Sequence, residues 1–479
     1  MANQDFIDSE LSALGLSDEQ KKVFNDVIKG HSMFITGDGG TGKSFLIQSI
    51  KNNLSRIYTG PPQLQGFVEA EDGSRKFTSG PRKKRVSVTA LTGCAAILLG
   101  KGAKTIHSWA GIGKGQGTYA ELWQKAKRGK AYYNWLSTDV LIIDEVSMLT
   151  AELLDKLNKI GKKLRANSAP FGGIQVLMFG DFYQLPPIIK EEDLKAQENP
   201  QARFAFQSES WSEIIGKTHV LTQIYRQSDP VFQRILREIR RGVLTEESDT
   251  ILRSRILETW RDRQIRPTLI YPRRAEVAMI NENNLNALAP PKYTFKADIS
   301  FTNKLKNGNF NRQDPEFIRA TYIMDSEAPY VPELVLAKNA QVMLIVNLDL
   351  DNGLCNGSRG IVVDFEEPGN IPIVEFINGI KMPIGKMAWE YEDERFEGVH
   401  RTQIPLRLAY ACTIHKSQGA SIDCALVDIG QSCFEYGQAY VALSRVRSLE
   451  GLWIHDFDPR TIRAHPHVVD FYENLASSC

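Results

Sequence analysis

The eight residues Gly37-Asp-Gly-Gly-Thr-Gly-Lys43-Ser44 constrain this chain more than any other stretch. They follow the apolar run MFIT and precede SFLIQSIKNNL, whose apolar residues repeat at helical spacing. A strand, a glycine-rich loop and a helix in that order form a cradle for phosphate. Gly37, Gly39, Gly40 and Gly42 let backbone N–H groups turn inward around Thr41, and the helix N-terminus adds its positive dipole. Lys43 is then expected to reach the β- and γ-phosphates of a nucleotide, and Ser44 to ligate Mg²⁺.

The rest of the chain supplies the sheet such a loop needs. Near-continuous apolar runs recur at 86–91, 140–146 and 174–181, and again at 268–272, 424–429 and 451–457, separated by amphipathic stretches. That alternation predicts α/β architecture with parallel sheets covered on both faces, in two domains, 1–228 with the phosphate loop and 229–479. Two insertions are expected. One, about 111–136, is Gly- and Lys-rich with tryptophans in or beside it. The other, about 336–402, breaks into short strands with DNG, NGSRG and NG turns and reads as a small antiparallel, barrel-like unit. Segment 59–84 lacks hydrophobic period and reads as a surface loop. Its basic cluster, Arg82, Lys83, Lys84 and Arg85, is read as solvated charge, a DNA contact or a nuclear signal.

Composition excludes more than it assigns. No stretch approaches the ~20 apolar residues of a membrane span. The acidic start MANQDFIDSE has neither secretory nor mitochondrial character. Net charge is +1, from 58 basic and 57 acidic residues, so a nucleic-acid partner has to be argued from local residues. Six cysteines without a CxxC pair read as free thiols in a reducing compartment, and the histidines show no zinc spacing. Neither a coiled coil nor an exposed apolar stripe is evident, so a monomer is expected.

Further motifs complete a hydrolytic set. Asp144 and Glu145 end the apolar run VLIIDE, as expected of a Mg²⁺-holding Asp beside a Glu that orients the attacking water. Gln184, in GDFYQLPP after the next strand, is placed to sense the γ-phosphate. Arg226 and Arg445 are candidates to reach the γ-phosphate from a second domain, with Arg447 a surface or DNA contact. Gln20, in LSDEQ behind an N-cap serine, carries an amide able to pair with adenine.

In this order, these residues resemble the superfamily 1 helicases, in particular the Pif (petite integration frequency) family, from LSDEQ to HPHVVDFYENL. The most specific stretch is IDEVSMLTAELLDKLNKIGKKLRANSAPFGGIQVLMFGDFYQLPP, 143–187. Within it Leu149, Leu153, Leu157, Ile160 and Leu164 share one helical stripe, expected to be core. The resemblance implies two RecA-like P-loop domains forming an ATP-dependent motor that moves 5′→3′ on single-stranded DNA, acts at junctions and unwinds duplexes, with G-quadruplexes and RNA–DNA hybrids among the family's substrates. It implies DNA contacts at Thr89 and Thr92, at His107 and Ser108, and at His415, Lys416 and Ser417. Gly419 is expected beside the nucleotide, and Trp109 and Trp123 are candidates for stacking on bases. Family members work in the nucleus, the mitochondrion or the bacterial cytosol, in DNA repair, recombination, replication and telomere maintenance. Two alternatives are a translocase of the RecD or Dda type that displaces proteins, and a nucleotide switch that grips DNA without moving. The complete hydrolytic set argues against the switch.

Overall fold

Apolar runs without polar alternation have to be covered on both faces, and three of them are. In the computed structural model Met33–Gly37, Val140–Asp144 and Gln175–Phe179 are buried at every position. The structure describes residues 4–477 apart from 58, 70–74, 101, 190–201, 258–259, 261–264, 302–312, 314, 316, 319–320, 323–324, 326–327, 329, 350–351 and 391–398.

These strands form the middle of a six-stranded sheet. Its spatial order is Lys104–Thr105, Val86–Ala90, Val140–Asp144, Gln175–Phe179, Met33–Gly37 and Lys217–Leu221, and every pairing is parallel. The phosphate loop, the Asp144–Glu145 pair and the Gln184 loop all leave the carboxyl ends of three adjacent strands, which is what brings them together. The helix Ala151–Leu164 covers one face. It buries Leu154, Leu157 and Ile160, while Leu153 and Leu164 are only partly buried, so the stripe is rotated slightly from the expected one.

The second series of runs builds a four-stranded parallel sheet in the order Ala411–Thr413, Thr268–Tyr271, Ala425–Ile429, Leu452–Phe457. Helix Pro230–Arg240 sends Phe232, Ile235, Leu236 and Ile239 into its core. The chain then turns back. The terminal helix Pro466–Ser477 puts Val468, Phe471 and Tyr472 against the first sheet's core.

Between these strands lies an antiparallel unit with its own core, running from Phe295 to Leu406. Five strands, Lys381–Pro383, Ile371–Phe376, Arg359–Glu366, Gln341–Leu344 and Leu406–Leu408, pair in that order. Asn378 and Gly379 make one turn, with Gly379 at φ +84°. Strands Lys292–Lys296 and Glu333–Ala337 pair beside it.

Segment 59–84 differs from expectation. Thr59–Glu69 and Arg75–Lys83 pair as an antiparallel hairpin with two register shifts. Three prolines and an irregular register hide the alternation by which a hairpin is recognised. The hairpin enters the sheet at the amino end of Val86–Ala90, opposite the phosphate loop. Among the described residues no helix is long and apolar enough to cross a membrane.

Candidate active site

A cavity of about 640 Å³ opens over the phosphate loop. Gly39, Gly40, Thr41, Gly42, Lys43 and Ser44 form its floor, Asp144, Glu145 and Gln184 one wall, and Arg226, Arg445 and Gly419 the opposite wall. The loop is drawn tight. The Lys43 ammonium donates to the carbonyls of Gly37 and Asp38, at 2.7 and 3.0 Å, and to the Thr41 hydroxyl at 3.4 Å. At Gly40, with φ +90°, a Cβ would stand 2.6 Å from Arg226 Cβ, so only glycine admits this approach. Gly37 lies below the cavity, where a Cβ would meet the Leu221 carbonyl at 2.3 Å.

Charge in the site is poised. Burial and the neighbouring Glu145 push the Asp144 carboxyl up to about 7, against the pull of Lys43 and of the Glu145 N–H that it accepts at 2.9 Å. A divalent cation would reverse that shift. Among the described residues no group of three or more His, Cys, Asp or Glu could hold a metal alone. Ser44 and Asp144 therefore suit a cation that takes its remaining ligands from phosphate and water. Glu145 adopts left-handed backbone at φ 55°, ψ 43°, strain of the kind stored at functional sites. Its Oε2 accepts from Gln418 Nε2 at 2.9 Å.

Both arginines reach the cavity. Arg226 donates to the Ser421 hydroxyl and the Ser444 carbonyl, each at 3.0 Å. Arg445, 2% exposed, donates to the Val441 carbonyl at 2.9 Å and the Ser444 hydroxyl at 2.7 Å. Burial and the like charge of Arg445 push Arg226 down to about 9. Among the described residues neither is paired with a carboxylate at ion-pair distance. A buried and a half-buried guanidinium group facing one cavity, with no carboxylate hydrogen-bonded to either, suit an anion.

Gln20 is buried, its Oε1 accepting from Ser17 N at 3.1 Å in a capping box, and its Nε2 stands against the loop at Gly42. Sequence reasoning missed the exposed rings of Tyr225 and Phe45, which line the cavity mouth. It also missed Tyr440, whose hydroxyl accepts from Gly39 N at 2.8 Å, and Gln418. Tyr225 adjoins Arg226 and Gln418 adjoins Gly419, but neither has a spacing that singles it out.

The expected DNA contacts divide. Thr92 caps a helix by accepting from Ala95 N at 3.2 Å and is partly exposed, as are His107, Ser108 and His415, while Lys416 is exposed. Burial lowers the pKa of both His107 and His415, so each favours the neutral imidazole. Three of the expected contacts are buried in this structure instead of facing outward. Thr89 is wholly buried and its hydroxyl donates to the Ile142 carbonyl at 2.7 Å. Ser417 is wholly buried and donates to Ile414 O at 2.8 Å. Trp109 is 2% exposed and packs on Trp135, their ring centroids 4.6 Å apart, so neither of its faces is open to a base. Trp123 is half-buried under the Lys127 ammonium. Thr89→Val is accordingly expected to lower stability by about 1 kcal/mol and leave DNA affinity unchanged, measured by urea unfolding beside a DNA titration.

Residues 15–59 and 76–250 match the family described as PIF1-like helicase, and 328–365 match the DNA helicase Pif1 2B domain. The ATP-dependent DNA helicase PIF1 of Xenopus laevis is 37% identical over 462 residues, covering 96% of this chain and 64% of that protein. The chain thus spans a little under two-thirds of that relative's length. The crystal structure of Pif1 helicase from Candida albicans aligns with TM-score 0.72 and 35% identity, covering 96% of this chain and 99% of that one. Bacteroides sp. Pif1 in complex with ADP-AlF4 aligns with TM-score 0.76 and 28% identity, covering 97% of each. A phosphate loop, its acidic partners and two arginines around one cavity, in a chain so matched along its length, make this protein a member of the PIF1-like helicase family.

Proposed function

We propose that this chain is an ATP-dependent DNA helicase that moves 5′→3′ on single-stranded DNA and opens duplexes, G-quadruplexes or RNA–DNA hybrids in genome maintenance. The observation that carries the reading is the cavity whose floor belongs to the first sheet and whose arginine wall is held by residues of the second. ATP bound there is a tie between two bodies, and its hydrolysis loosens the tie. Residues 1–228 with the insertion at about 111–136, and 229–479 with the barrel-like insertion at about 336–402, are read as the two motor domains, with the terminal helix reaching back across. A complex of the Bacteroides relative with ADP-AlF4 supports a nucleotide at the loop.

In this reading Lys43 holds the β- and γ-phosphates, Glu145 orients the attacking water, and Gln184 reports on the γ-phosphate. Arg226 and Arg445 stabilise charge on the transferring group. Mg²⁺, held by Ser44 and Asp144, would neutralise phosphate charge. Thr92, His107, Ser108, His415 and Lys416 are proposed to hold the DNA backbone, a grip that needs no base sequence. The family offers nucleus, mitochondrion or bacterial cytosol as the place of work, and a monomer, free to pair on DNA, is the proposed assembly.

Strand displacement on duplexes with 5′ or 3′ single-stranded tails, run beside ATPase with and without DNA, tests this. Opening of the 5′-tailed substrate and DNA-stimulated hydrolysis are expected. Opening of only the 3′-tailed substrate would remove the polarity, and hydrolysis indifferent to DNA would remove the motor.

A further inference from the structure

Beside the nucleotide cavity lies a buried ion pair that the hydrolytic scheme does not use. Arg240, in the last turn of Pro230–Arg240, donates from Nε and Nη2 to the two carboxylate oxygens of Asp181, at 2.9 and 2.8 Å. Asp181 has no exposed surface. The same guanidinium stands 3.2 Å from an Asp38 oxygen, and Arg237 stands 3.5 Å from the other. Asp38 belongs to the phosphate loop, and its carbonyl accepts from Lys43. Asp181 begins the loop that carries Gln184, whose N–H donates to the Asp181 carbonyl at 2.9 Å.

The pair is backed by the end of the chain. The Tyr183 and Tyr472 rings stack 4.7 Å apart at 12°, and the Arg240 guanidinium lies 4.4 Å from the Tyr183 centroid. The Tyr472 hydroxyl meets the Thr36 hydroxyl at 2.7 Å and Asp181 at 3.3 Å, and accepts from Phe182 N at 3.2 Å. The Gln184 loop is held from the second sheet as well. Leu185 is buried in the second core, and a Cβ on Gly437 would meet the Tyr183 carbonyl at 2.5 Å. Helix Pro230–Arg240 is fixed by its apolar face to that same core.

We propose that Arg240 is a positioning residue: by clasping Asp38 and Asp181 together, it carries movement of the second domain to the phosphate loop and the Gln184 loop at once, and so couples DNA binding to ATP turnover. This rests on the helicase reading above. A guanidinium suits the task because its planar fork engages two carboxylates in fixed geometry, which an ammonium cannot do. Displacements near 1 Å in such a support can cost on the order of 10²-fold in rate without touching substrate.

The test is Arg240→Lys in the full chain, measured for basal ATPase, ATPase with saturating oligothymidine, KM for ATP, oligothymidine Kd and unfolding temperature. The ratio of stimulated to basal kcat is expected to fall about tenfold, and KM for ATP to rise, with oligothymidine Kd held within about twofold. A lowered unfolding temperature with an unchanged ratio would make the pair structural only and overturn the proposal. Should Arg240→Lys not fold, Tyr472→Phe decides, because it keeps the stacked ring and removes the hydroxyl bonds. A fall of about threefold in the ratio is then expected, and an unchanged ratio overturns the proposal. Stimulation of the unaltered chain, read in the same run, reports on the helicase reading separately.

Discussion

Lys43→Ala is expected to remove ATP hydrolysis, by about 10³-fold or more, while the fold survives. The ammonium sits between the Gly37 and Asp38 carbonyls and under the fields of Asp181, Glu145 and Asp144. Burial lowers its pKa and those three carboxylates raise it, so the site depends on a cation where two candidate catalytic acids also converge. Alanine removes the cation proposed to draw the β- and γ-phosphates onto the loop, which the arginines across the cavity do not replace. It also removes one of the two groups that oppose the upward shift of Asp144, which further weakens that carboxylate as a cation ligand. Phosphate release with saturating single-stranded DNA measures the loss, and circular dichroism checks the fold. Retained hydrolysis would mean that the loop has been misassigned.

What the sequence made legible follows from which physical signals are local. The strands beginning near Met33, Val140 and Gln175 announce themselves because burial on both faces demands continuous apolar residues. Lys217–Leu221 does not, since an edge strand with exposed and half-buried positions resembles a loop. Ala411–Thr413 is simply too short to show a period. The phosphate loop and the Asp144–Glu145 pair are contiguous motifs whose chemistry needs fixed spacing, and they were readable as such. Arg240 was not. It is one arginine among several in LREIRRG, and only the fold sets it against Asp181, 59 residues away. Thr89 and Ser417 show the opposite failure. A hydroxyl in a DNA-contact motif looks the same in sequence whether it faces a phosphate or closes a bond to its own backbone, and here both do the latter.

Arg445→Ala is expected to cost 10³- to 10⁵-fold in kcat, with KM for ATP changed far less, by roughly the scale of a γ-phosphate arginine. The reasoning begins with the cost of the native arrangement. Arg445 is buried and Arg226 partly so, and desolvation together with the like charge of Arg445 pushes Arg226 down to about 9. Their hydrogen-bond partners are carbonyls and hydroxyls of Ser421, Val441 and Ser444, which orient the guanidinium groups, while the field of Glu145 offsets their charge only in part. Such a pair is unfavourable in the empty cavity and favourable around developing negative charge, which is the condition for stabilising a transition state rather than a ground state. Two consequences separate this from a structural role. Removing one member relieves repulsion, so the unfolding temperature of Arg445→Ala should fall little; a residue retained for packing would show a large fall. Because the arginines act on the same charge, Arg226→Ala with Arg445→Ala should be barely slower than the worse single variant. Steady-state kinetics on the two single variants and the double, beside thermal unfolding, decide it: strictly multiplicative losses, or a KM effect as large as the kcat effect, would place these arginines in nucleotide binding instead.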